Sequence, residues 1–176
     1  AVVNPNRPDC PFPDKGLCGT GLAWRVAGLV ADAVGADPAP LHDLLDLVAL
    51  ATVADMVPLT SLENRAIVTL GLGELNYGRH SAGLAALLKT AGLTDHIAAS
   101  DLGFRIGPRI NAAGRVADAS LVVRLLTCRD PAEAGIEPPA VCRFFNPSPE
   151  QLAGPLQTCG FLQVLAAFGT DFRVGV

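Results

Sequence analysis

The run from Leu44 to Ala54, LLDLVALATVA, is apolar on nearly every side when wound as a helix. Leu44, Leu45, Leu47, Val48, Leu50 and Ala51 cover most of its surface. Such a helix has no face to offer water, so the rest of the chain must be built around it. The punctuation DPAP at Asp37 to Pro40 leads into it, and it must stop before Pro58, because the residue preceding a proline is pushed out of the α region. Asp55 therefore falls at the end of a buried element, beside a forced turn. An unpaired buried carboxylate is costly, so this one needs a backbone N–H, an arginine or a divalent metal as partner. The residues alone leave two readings of Asp55 open, a loop cap and a metal ligand.

Helical spacing predicts a buried helix from near Thr20, with Leu22, Trp24, Val26, Leu29, Val30 and Val34 on its apolar side and Gly19 and Gly21 at its entry. SLENRAIVTLGLGELN reads as a helix capped by Ser61 with Glu63 or Asn64 in its first turn, and SAGLAALLKTAGL as one capped by Ser81. In ASDLGFRIGPRINAAGR, Ser100 is the cap candidate, and Gly103, Gly107, Pro108 and Gly114 are expected to interrupt any long regular helix. One more helix is expected from about Asp118 to Leu126. Ahead of all these, residues 1–3 form a β-like run, and the stretch from Asn4 to Gly16 holds four prolines and two asparagines, which enforce an extended, turn-rich loop. AVVNP begins with Ala and reads as a strand already under way, so a natural N-terminus further upstream is expected. Residues 135–176, with several prolines and no clear period before about Gly160, read as an atypical tail.

With 50% hydrophobic and 17% charged residues in 176, the chain can bury a sizeable core. Its net charge of -4 gives no global basic field, so any hold on a polyanion must come from a local group of arginines. GPRINAAGR, from Gly107 to Arg115 with Arg105 just upstream, is such a group. Its small residues let backbone approach a phosphate while planar guanidiniums grip oxygens in pairs. Surface salt bridges are the alternative use of the same arginines. Asn6, Arg7 and Lys15 decorate the proline loop, which could line a cleft or stand as an exposed turn. Five scattered cysteines without a CxxC pair point to a reduced, cytoplasmic compartment, and no apolar stretch reaches the roughly 18 residues of a membrane span.

NPNRPDCPFPDKGLCGTGLAW, LLDLVALATVADMVPL followed by ENR, and DLGFRIGPRINAAGRVADAS stand in an order and spacing that resembles the RecJ-type exonucleases of the DHH phosphoesterase superfamily, over about residues 1–134. The resemblance implies an α/β fold, here a partial DHH domain that is predominantly helical, and hydrolysis of single-stranded DNA from the 5′ end during repair and recombination. It implies two divalent ions, manganese or magnesium, held by aspartates and histidines. Asp55 matches the family's last metal-binding aspartate, which makes it the candidate catalytic and metal residue. Arg109, Asn111 and Arg115 match the motif that grips the DNA phosphate. No Asp-His-His triplet occurs in the 176 residues, so the chain is expected to be inactive alone, as an internal part of such an enzyme. Two rivals remain: a non-catalytic module that binds a strand or a partner, and a sister phosphodiesterase acting on short RNA or cyclic dinucleotides.

Overall fold

The computed structural model describes residues 3–116, 119–128 and 130, and the side chains of these except 112–116 and 119. The expectations for the opening strand and the 135–176 tail fall outside the described residues. α1 (Gly19–Val34) starts at Cys18, whose Sγ accepts the Gly21 N–H, and ends at Gly35 in the left-handed region. After the short α2 (Ala39–His42), the apolar run forms α3 (Leu45–Ala54), with Asp55 as its C-cap. Ser61 caps α4 (Leu62–Asn76) by accepting the Asn64 N–H, and Ser81 caps α5 (Ala82–Thr90) by accepting the Leu84 N–H. These four boundaries lie where caps and periodicity put them, but α1 is not the buried helix its spacing predicts: Leu29, Val30 and Val34 are exposed, and Gly21 is its one buried residue, because only the first half of the helix packs on the core. Among the described residues there is no strand.

α3 is the centre of the fold, as its composition requires. Val48, Ala49, Leu50, Ala51 and Thr52 are buried, and the Thr52 hydroxyl donates back to the Val48 carbonyl rather than staying unpaired. Leu44 departs from the expectation: it precedes the first turn, as the N-cap, and is exposed. α4 lies along α3 so closely that a Cβ at Gly71 would come 2.3 Å from the Leu45 carbonyl oxygen. The main core runs from Leu50 through Leu84 and Leu87 of α5 to Ile106, Ile110 and Val122. α8 (Ala119–Thr127) closes over α5.

The segment from Ala99 onward corrects the sequence reading. Ala98, not Ser100, is the N-cap residue, its N–H donating to the Asp101 carboxylate at 3.0 Å. The winding then continues from α6 (Ala99–Asp101) through a π-helical turn (Leu102–Ile106) into α7 (Gly107–Val116) without a break. Glycine costs a helix interior about 1 kcal/mol relative to alanine, which locally favours interruption. Close packing on α3 overrides that cost. A Cβ at Gly103 would stand 3.3 Å from Val53, and one at Gly107 would stand 3.4 Å from Ala54, so these positions serve as the contact surface.

Candidate functional site

The end of α3 and the facing helical run enclose a groove of about 230 Å³. One wall is Val53 to Met56, and the other carries Ser100, Gly103, Phe104, Gly107 and Asn111. Asp55 reaches this groove because α3 cannot continue past it. Its own N–H is used by the Ala51 carbonyl, and Met56 turns back with φ 52°, bonding its N–H to the Val53 carbonyl. One carboxylate oxygen of Asp55, Oδ1, is buried and has no hydrogen-bond partner among the described residues. Burial pushes the acid above the ordinary carboxylate range. Asp55 thus ends α3 through its backbone, while no described residue caps or pairs this oxygen of its side chain.

Of the arginines on the opposite run, the two nearest in sequence have different fates. Arg105 is engaged: its guanidinium bonds the carbonyls of Ala91 and Gly92 just past α5 and pairs with Asp101 at 3.3 Å. A cation there also meets the negative end of the α5 dipole. Arg109 donates from Nη1 to the Arg105 carbonyl at 2.6 Å, leaves its buried Nε without a partner, and has no carboxylate paired with it among the described residues. Burial and the neighbouring Arg105 charge lower its pKa. Asn111 lines the groove that Asp55 enters, so the fold brings together two residues 56 positions apart. Arg115 lies on α7, with its side chain outside the described residues.

The proline loop is consumed by its own structure. Arg7 forms a two-point pair with Asp9, the Lys15 ammonium bonds the Cys10 carbonyl, and the Asn6 N–H bonds the Asn4 side chain. What the sequence reading missed is Asn64. Fully buried, it donates to the carbonyls of Gly16 and Pro58, while Ser61 donates to Asp14, so one amide ties the proline loop to the turn that follows Asp55. The signal was a polar residue in the first turn of an otherwise apolar-facing helix.

No family model matches the chain. Among curated proteins it is similar to the single-stranded-DNA-specific exonucleases RecJ of Dickeya dadantii and of Escherichia coli, each 44% identical over 145 and 147 residues respectively. A RecJ of Thermus thermophilus is 39% identical over 116 residues. The chain spans about a quarter of the length of the first two, and 16% of the third, while the matches cover 76%, 77% and 66% of the chain. A solved structure of exonuclease RecJ bound to manganese matches with a TM-score of 0.65 and 33% identity, over 77% of this chain and 34% of that one. Asp55 fits one part of such a centre, since a buried carboxylate oxygen without a donor is what a cation would accept. Among the described residues, however, no three His, Cys, Asp or Glu side chains come together to hold an ion, so they supply one donor and not a complete site. Motif order, helical architecture and these likenesses agree that the chain belongs to the RecJ family, over the part of those proteins that it spans.

Proposed function

We propose that residues 1–134 are the C-terminal part of a DHH-type catalytic domain in a metal-dependent exonuclease that degrades single-stranded DNA from 5′ to 3′. Repair and recombination in the cytoplasm is the setting this reading implies. The observation that carries it is the groove: Asp55 presents a buried oxygen on one wall, and the helix of the other wall bears Arg109, neither having a partner of opposite charge among the described residues. A phosphodiester supplies what both lack when a divalent cation lies between its oxygens and the carboxylate. In this reading Arg109, Asn111 and Arg115 hold the phosphate end of the strand, and Asp55 gives one ligand to manganese or magnesium. Such ions generate a nucleophilic hydroxide near neutral pH.

A second reading has its own support. With no Asp-His-His triplet in the sequence and no metal-holding trio among the described residues, the chain by itself binds a strand without cutting it. The test is to incubate the purified chain with 5′-phosphorylated single-stranded DNA and manganese, beside Asp55→Ala and Arg109→Ala. The expected result is salt-sensitive binding without hydrolysis, with Arg109→Ala weakening binding and lowering the salt slope by about 1. Hydrolysis that disappears in Asp55→Ala shows instead that the chain completes its own centre. Absence of binding by the unaltered chain at low salt removes the interface altogether.

A further inference from the structure

The groove has a feature that phosphate binding leaves unused. Its two bulky apolar rim residues, Met56 on the α3 side and Phe104 on the π-turn side, are 68% and 77% exposed. Between them the wall is bare backbone at Gly103 and Gly107, both pressed against α3. Exposed aromatic surface loses the favourable burial that a Phe side chain gains in a core, which is worth about 1.5–3 kcal/mol. Met56 is, moreover, the single non-glycine residue with positive φ among the described residues, and strained backbone of this kind clusters at ligand clamps. The turn thus spends conformational energy to finish α3 with a polarisable thioether at the mouth of the groove, next to Asp55.

We propose that Phe104 and Met56 form a stacking subsite for a nucleobase of the bound single strand. The proposal deepens the reading above and rests on it. The occupant is argued from charge and shape together. Arg109, which has no acid partner among the described residues, lies on the same continuous run five positions after Phe104, whereas the charge of Arg105 is taken by Asp101, so the helix that carries the aromatic face also carries one uncompensated cation. An apolar peptide would match the rim but not the guanidinium, and free phosphate would match the guanidinium but not the rim. A nucleotide carries both, a planar π-face and an anion. Stacking on an aromatic side chain is sequence-tolerant, as a nuclease that must accept every base requires.

The experiment compares fluorescence-anisotropy binding of the full chain to a 5′-phosphorylated oligonucleotide and to the same strand with abasic sites at its first nucleotides. The unaltered chain is expected to prefer the base-containing strand by about tenfold or more. Phe104→Ala should lose about tenfold on that strand and little on the abasic one, with the salt slope unchanged. Phe104→Trp should restore the preference, and Met56→Ala should erode it in part. Because Phe104 is exposed, the alanine variant is expected to keep the unaltered helical content, read by circular dichroism. Equal losses on both strands, or none on either, overturn the stacking subsite while leaving the phosphate reading intact. If the unaltered chain binds neither strand, the phosphate reading falls and the subsite falls with it.

Discussion

Asp46 and Asp55 stand nine positions apart on the same buried helix and meet burial differently. Asp46 is 2% exposed, in the first turn of α3, where its carboxylate takes the Leu47 N–H at 2.6 Å and faces the positive end of the helix dipole. Burial dominates nonetheless and raises it from an ordinary 3.8 to about 6, against the lowering effect of the Leu47 N–H and of His80. Since the folded value lies above the unfolded one, the group's favourable contribution is complete below 3.8 and is lost as pH rises through about 6. Asp46→Asn should therefore be more stable than the unaltered chain near pH 7, by on the order of 2 kcal/mol, with the gap closing towards pH 4. Denaturant titrations of both proteins across that range check it, and a gap independent of pH would show that the carboxyl does not titrate in the fold. Sequence could place Asp55 at the end of α3, because a proline three residues on dictates the stop. It could not tell Arg105 from Arg109. Which guanidinium is taken by the carbonyls of Ala91 and Gly92 depends on where α5 ends in space, not on anything local to the motif.

At the scale of elements, the contacts that decide the fold are made by glycines. A Cβ at Gly71 would meet the Leu45 carbonyl oxygen at 2.3 Å and the Ala49 Cβ at 2.4 Å, all on packed helix surfaces that cannot yield without α3 and α4 moving apart. Gly71→Ala should accordingly lower stability by about 3 kcal/mol, although alanine is the better helix former by about 1 kcal/mol. Gly73, on the same helix with open space around it, is the control: Gly73→Ala should be neutral or stabilising. Thermal melts of the two variants read the contrast. The same logic explains which elements were legible. α1, α3, α4, α5 and α8 announce themselves through caps and apolar period, both local signals. The run from α6 to α7 does not, because its glycines vote against helix and are outvoted by α3, a neighbour some fifty residues earlier in the chain.

For the molecule as a whole, the apolar surface is unevenly placed. Leu29 of α1 and Leu62 and Leu70 of α4 are exposed, and the Arg25–Glu63 pair ties the two helices near them. Exposed apolar side chains near one another favour association where they form a contiguous patch. The chain should self-associate in a concentration-dependent way by sedimentation velocity, and Leu29→Lys with Leu62→Lys should shift it towards monomer without loss of helical content. A monomer at every concentration would count against the face as an adhesive surface. The sequence does not show where such residues lie, because the approach of α1 to α4 at Arg25 and Glu63 is set by the fold.

The π-helical turn at Leu102–Ile106 acts as an angular setting. Such a turn holds one residue more than ordinary winding, so everything beyond it is rotated by about 100° about the axis relative to a regular α-helix. Arg109 and Asn111 lie beyond the turn, whereas Ser100 lies before it. The two halves of this wall are thus keyed at different phases, and both can face α3 at once. Removal of one residue would relax the winding to its cheaper form and, by the same act, turn Asn111 away from the groove that it shares with Asp55. Here the helix is less comfortable than it could be, and its alignment depends on that discomfort.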